Sequence, residues 1–166
     1  MREVQLPNAA WGKIYLHSMP GLWEEDLDTF AQDLAKRHVE CIVCLAPRHE
    51  IEKMSPKYHE AIVSGSLPVP VLEFGIPDFG IPEDADSFAS LVQRICEYVE
   101  GGKNVLIHCG GGIGRTGMVA QCVLLALGLS KEEAATTVKQ AASHPETEDQ
   151  KRFVEAFQQR LAGERH

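Results

Sequence analysis

The stretch Val105-Leu106-Ile107-His108-Cys109-Gly110-Gly111-Gly112-Ile113-Gly114-Arg115-Thr116-Gly117 constrains the fold of this chain more than any other. Its first part, Asn104–Ile107, is a short apolar run without polar alternation, the pattern of a strand covered on both faces. From Arg115 to Leu127 the residues are apolar on nearly every side, as in a helix at the centre of a core. Between the two lie four glycines in the six residues Cys109–Gly114. A buried strand that turns through glycines straight into a buried helix calls for a layered α/β architecture.

The rest of the chain agrees. Lys13–His17, Cys41–Leu45 and Val69–Phe74 read as further strands, and Pro56–Ser64 as a short helix. Trp23–His38 reads as a helix, with Trp23, Leu27, Phe30, Leu34 and Ala35 on one face. A turn-rich segment, Gly75–Pro82, precedes a helix whose first turn suits Pro82. Phe88, Leu91, Val92, Ile95 and Val99 give that helix a 3–4 spacing, and Gly101-Gly102 ends it. Two more helices follow at Ser130–Ala142 and Thr147–Leu161. The 166 residues suit one domain. The expectation is a single α/β domain over residues 1–166: a central, mostly parallel sheet flanked by helices, the C-terminal ones covering one face. A phosphate-binding loop would join its last strand to the central helix.

Sixteen Lys+Arg against 24 Asp+Glu leave a net charge of −8, wrong for coating nucleic acid or an anionic membrane. The charge is uneven: residues 101–131 hold Lys103, Arg115, Lys131 and no acid, a local +3, so the remainder carries −8 − 3 = −11. The cysteines, Cys41, Cys44, Cys96, Cys109 and Cys122, are odd in number and scattered. The opening residues lack a secretory apolar core, and Met118–Leu129, interrupted by Gln121, is too short to cross a bilayer. Free thiols, a reducing compartment and a cytoplasmic location are the expectation. Oligomeric state is not legible.

Glycines leave backbone N–H groups free to converge on a ligand, and a helix N-terminus adds partial positive charge, so the loop suits a phosphate-sized anion. Gly112-x-Gly114-x-x-Gly117 fits a dinucleotide fingerprint, but no acid follows before Lys131, and helices follow where a second strand is needed. A nucleotide P-loop needs Gly-Lys-Ser/Thr, and the lysine is missing. Cys109 and Arg115 supply a third chemistry. Converging N–H dipoles stabilise a thiolate at Cys109, and Arg115 can fork two donors onto phosphate oxygens. A nucleophile beneath an arginine-clamped phosphate suits covalent phosphoryl transfer. No second His or Cys stands at metal-ligand spacing from His108, and Cys41-x-x-Cys44 has no matching pair, so neither a metal nor another cofactor is expected.

His108-Cys109-x5-Arg115-Thr116-Gly117 resembles the signature of the cysteine-dependent protein tyrosine and dual-specificity phosphatases. The chain order over roughly residues 13–160 is similar to the compact archaeal tyrosine phosphatases and the cyclin-dependent-kinase-inhibitor-3-like group. The resemblance implies a phosphate cradle of Gly110, Gly111, Gly112, Ile113, Gly114 and Arg115, with Cys109 as nucleophile. It implies a Thr116 hydroxyl that assists departure of the sulfur, and a His108 that positions the loop. The general acid would be Asp78, in the Ile76-Pro77-Asp78 loop 31 residues before Cys109. Asp84 and Asp86 compete for that role, but they suit a helix start, where acids complement the dipole. Gln150 matches the second glutamine of a segment that orients water, whereas Glu146 puts an acid in place of the first. Glu50 would contact the substrate backbone at the pocket rim, and a disulfide trap for Cys109 would have to use Cys44 or Cys122.

These residues imply a phosphatase for phosphotyrosine in protein substrates, open to phosphoserine and phosphothreonine because the short segments between strands leave no large recognition loop. Two other classes compete: a phosphoprotein-binding module without turnover, and a phosphoinositide or inositol-phosphate phosphatase. The complete catalytic set argues against the first, and the absence of basic residues in Gly110–Gly114 against the second.

Overall fold

The computed structural model describes residues 1–23 and 25–165. Its strands are β1 (Arg2–Val4), β2 (Ile14–His17), β3 (Val39–Cys44), β4 (Val71–Glu73) and β5 (Asn104–His108). Its helices are α1 (Leu27–Lys36), α2 (Arg48–Met54), α3 (Pro56–Ser64), α4 (Ala85–Glu100), α5 (Gly114–Ala126), α6 (Lys131–Gln140) and α7 (Glu148–Glu164). The strands form one sheet in the order β1-β2-β5-β3-β4, parallel except for the β1–β2 edge pair.

β5 is central, and its alternating side chains feed two cores. Val105 and Ile107 join the larger one, where α4, α5, α6 and α7 contribute Phe88, Ile95, Val119, Val123, Val138 and Phe157. Leu106 points to the other face, against Phe30 and Leu34 of α1. α5 is buried along most of its length, from Gly114 to Leu125, as its largely apolar character requires. His17 and Cys44 both stand in register with His108. The carboxyl ends of β2, β3 and β5 therefore meet at one rim, where parallel α/β sheets place their ligands.

Apart from shifts of one to three residues at strand and helix ends, three differences from the sequence reading stand out. The helix expected from Trp23 begins at Leu27, because Asp26 is its N-cap: the side chain accepts from Thr29 N at 2.7 Å. Trp23 lies outside the helix, exposed and at φ 56°. Pro82 likewise precedes its helix, since Asp84 takes the N-cap, accepting from Asp86 N at 3.0 Å. Residues 48–50, assigned to no element, open α2, a helix of seven residues whose only buried member is Ile51. So short a helix shows no periodicity, and three-residue β1 shows no alternation; neither is visible in the sequence.

Candidate active site

Cys109 directly follows β5 and is 2% exposed. The glycine loop carries the chain from it into α5, which returns Thr116 beside it: Thr116 Oγ1 donates to Cys109 Sγ at 3.0 Å. Close packing makes this return possible. A Cβ on Gly117 would collide with the His144 backbone, so only glycine lets the segment after α6 close over the start of α5. Two backbone hydrogen bonds fix the outer side of the loop, from Met19 N to Gly110 O and from His144 N to Ile113 O.

Arg115 folds under the loop and is also 2% exposed. Its guanidinium meets Glu50 bidentately, Nη1 to Oε2 at 2.8 Å and Nη2 to Oε1 at 2.7 Å. Nη1 also donates to Ile76 O at 2.8 Å, and Nη2 to Asp78 Oδ1 at 3.1 Å. Burial alone would lower the Arg115 pKa. The Glu50 hydrogen bonds, then the charges on Cys109, Glu50 and Asp78, outweigh it and raise the value. Both Glu50 oxygens lie on Arg115.

The Asp78 loop is tied down on both sides. Ile76 N donates to Leu45 O at 2.8 Å, just beyond the end of β3. A turn closes from Gly80 N to Pro77 O at 2.8 Å, with Phe79 at φ 59°. Gln150 holds the far end: Nε2 donates to Gly80 O at 3.1 Å, while Oε1 accepts from Glu146 N at 2.8 Å and Thr147 N at 3.3 Å in the α7 capping box. Gln150 is fully buried. Asp78 itself is 61% exposed, at the mouth of the site. Asp84 and Asp86 open α4, as expected of acids at a helix start. The Glu146 carboxylate lies against Gly114, at the first turn of α5.

His108 is completely buried, and burial lowers its pKa to about 4. The ring is therefore neutral at pH 7, which fixes its tautomer. Its Nδ1 lies 3.0 Å from Cys109 O, a group that can only accept, so Nδ1 carries the proton. Nε2 must then accept from the Tyr58 hydroxyl, 2.7 Å away. Tyr58 was missed in the sequence reading: it lies 50 residues from His108 on α3, with no motif to mark it. Burial raises its pKa well above the usual phenol value, which keeps the hydroxyl a donor.

The remaining thiols are buried and free. Cys44 packs with Met19, Ala46, Ile51 and Tyr58, apart from the cluster that holds Cys109. Burial pushes its pKa up to about 12 and raises that of Cys122 as well, so neither is a ready thiolate partner for Cys109. Among the described residues, no three His, Cys, Asp or Glu side chains are grouped to hold a metal, and no helix is long and apolar enough to cross a membrane.

Known proteins resemble this chain in sequence and in fold. Cyclin-dependent kinase inhibitor 3 of Rattus norvegicus is 31% identical over 91 residues, covering 52% of this chain and 42% of its own. The matched part spans half or less of the curated relatives' length. Among solved structures, kinase associated phosphatase with its catalytic cysteine substituted by serine superposes with a TM-score of 0.78 at 22% identity, covering 95% of this chain and 98% of that one. The active form of Tk-PTP superposes with a TM-score of 0.71 at 28% identity, covering 96% and 97%. The family model described as "Swiss Army Knife protein, DSP-PTPase phosphatase domain" matches residues 17–161. With nearly its whole length inside that model, the chain belongs to this family of phosphatase domains of the dual-specificity and protein tyrosine type.

Proposed function

We propose that the chain is a protein phosphatase that hydrolyses phosphotyrosine, with phosphoserine and phosphothreonine as further substrates, through a covalent cysteinyl-phosphate. One observation carries the reading: Arg115 contacts Asp78 at 3.1 Å while its loop wraps Cys109, so the nucleophile and a proton donor share one phosphate clamp. Kinship to cyclin-dependent kinase inhibitor 3 and to kinase associated phosphatase supports a phosphoprotein substrate.

In the first step Cys109 Sγ attacks phosphorus. The S–P bond forms, the P–O bond to the substrate breaks, and the Asp78 carboxyl proton passes to the leaving oxygen. Loop N–H groups and Arg115 meet the charge on the equatorial oxygens. In the second step water attacks phosphorus, Asp78 takes its proton, and the S–P bond breaks. The Thr116 hydroxyl donates to the returning thiolate. Glu50 fixes the plane of Arg115, and Gln150 holds the Asp78 loop to the start of α7. His108, neutral and bonded at both nitrogens, holds the Cys109 carbonyl. None of these steps calls for a metal.

Purified protein with a chelator present should dephosphorylate a phosphotyrosyl peptide, and Cys109→Ser should abolish turnover. Phosphopeptide binding by a wild type that never turns over would favour a binding module. Strong preference for phosphoinositides over phosphopeptides would move the substrate to lipid.

A further inference from the structure

Gly112 lies at the back of the loop with φ 76°, and a Cβ there would meet His17 O at 2.6 Å and Arg2 Nη2 at 2.8 Å. Its carbonyl has two donors, Arg2 Nη2 at 2.7 Å and Ser143 Oγ at 2.6 Å. Arg2 Nη1 continues to Ala141 O at 3.0 Å and Ala142 O at 2.7 Å. These carbonyls follow α6, at the end of a helix where C=O groups lack intrahelical partners and carry partial negative charge. One guanidinium, delivered by β1, therefore fastens the glycine loop to the end of α6.

The peptide joining Gly112 to Ile113 is trans, so its C=O and N–H point opposite ways. Donors that hold the Gly112 carbonyl on the outside of the loop aim the Ile113 N–H away from themselves. We propose that Arg2 is a positioning residue for the phosphate site: with Ser143 it sets the orientation of the Gly112–Ile113 peptide, and it brings a second cation to the loop that follows Cys109. Burial pulls the Arg2 pKa below its ordinary value, and the Cys109 charge is what opposes that pull. No motif marks Arg2. It lies 107 residues before Cys109 and reaches the loop only through the antiparallel pairing of β1 with β2.

The inference rests on the loop being a phosphate site, and its test needs no turnover. Cys109 alkylation by iodoacetamide would be followed by mass spectrometry from pH 5 to 8, with and without inorganic phosphate, in full-length wild type, Arg2→Met, Arg2→Lys, Ser143→Ala and Glu3→Ala. Arg2→Met should weaken phosphate protection about tenfold, the scale of one charge-assisted hydrogen bond, and slow alkylation at pH 6. Arg2→Lys keeps the charge but not the fork, so alkylation at pH 6 should recover while protection recovers only in part; it also serves if Arg2→Met does not fold. Ser143→Ala should weaken protection with no change in the pH profile. Glu3, on the same strand but paired with Lys13, is the control for general loosening of β1 and should match wild type. Wild-type protection in Arg2→Met overturns the inference, as does equal loss of protection in Glu3→Ala. A wild type that phosphate fails to protect overturns the phosphate-site reading itself, and the inference with it.

Discussion

Glu50 offers a sharp test, because its two possible roles predict different losses. Its carboxylate makes both hydrogen bonds of a bidentate pair with Arg115, at 2.8 and 2.7 Å, with the partners 14% and 2% exposed. Glu50→Gln removes the charge and one acceptor with little change in volume. Breaking a fully buried pair costs about 3–5 kcal/mol. Arg115 keeps Ile76 O and Asp78 as partners, so the loss should be smaller, about 2 kcal/mol. In a domain of this size that lowers the Tm by roughly 4–8 °C. A buried guanidinium relieved of its carboxylate is also a stronger anion trap, so phosphate should return most of the lost Tm and raise it more than in wild type. kcat/KM should fall roughly tenfold or more on a small aryl phosphate and on a phosphopeptide alike, since a tilted Arg115 weakens transition-state contacts common to both. Thermal melts with a phosphate titration, together with kinetics on the two substrates, read all of this. An unchanged Tm, with KM raised only for the peptide, would refute the clamp role and return Glu50 to the pocket rim.

Four further outcomes follow from the same contacts. Asp78→Asn should lower kcat by about 10²–10⁴ for phosphotyrosine and far less for an aryl phosphate with a good leaving group; equal losses on both would remove Asp78 as the acid. Thr116→Ala should slow dephosphorylation of the enzyme, visible as a larger burst of product in stopped flow. Gln150→Glu keeps the capping acceptor but sets a buried carboxylate against Gly80 O in place of a donor, so the Tm should fall together with activity, with leaving-group-dependent losses like those of Asp78→Asn. His108 gives a pH signature: its folded pKa of about 4 lies below the unfolded value of about 6.5. The unfolded state then binds more protons between these values, so stability present above pH 6.5 is lost as pH falls towards 4. By pH 5 this amounts to about 2 kcal/mol, which urea unfolding of wild type should show and His108→Asn should lack.

How much of this was legible depended on sequence distance. The glycine loop, Cys109, Arg115 and Thr116 lie within eight consecutive residues, and their chemistry follows from local chain geometry, so they could be read directly. Asp78 could be picked out as a candidate because it stands in a Gly/Pro-bounded loop, while Asp84 and Asp86 carry helix-start patterning. Glu50 could be picked out but not its target: an acid in a short, weakly patterned helix does not reveal which cation it will meet 65 residues later. Gln150 could be picked out, but not its bond to Gly80 O, because the approach of that turn to α7 is a tertiary contact. Tyr58 and Arg2 carried no local signal, because α3 and β1 bring them to the loop only through tertiary packing. Strands β2 to β5 and the long helices were visible from apolar runs and periodicity. Their starts at Leu27 and Ala85 were set by Asp26 and Asp84, caps that won over the apolar Trp23 and over Pro82.

The central claim, a covalent phosphate on Cys109, is open to one direct measurement. A 32P-phosphotyrosyl peptide mixed with stoichiometric enzyme and quenched in acid within milliseconds should leave label on the tryptic peptide containing Cys109, decaying as inorganic phosphate appears. Turnover at an undiminished rate with no label on Cys109, or with label on another residue, would contradict the account.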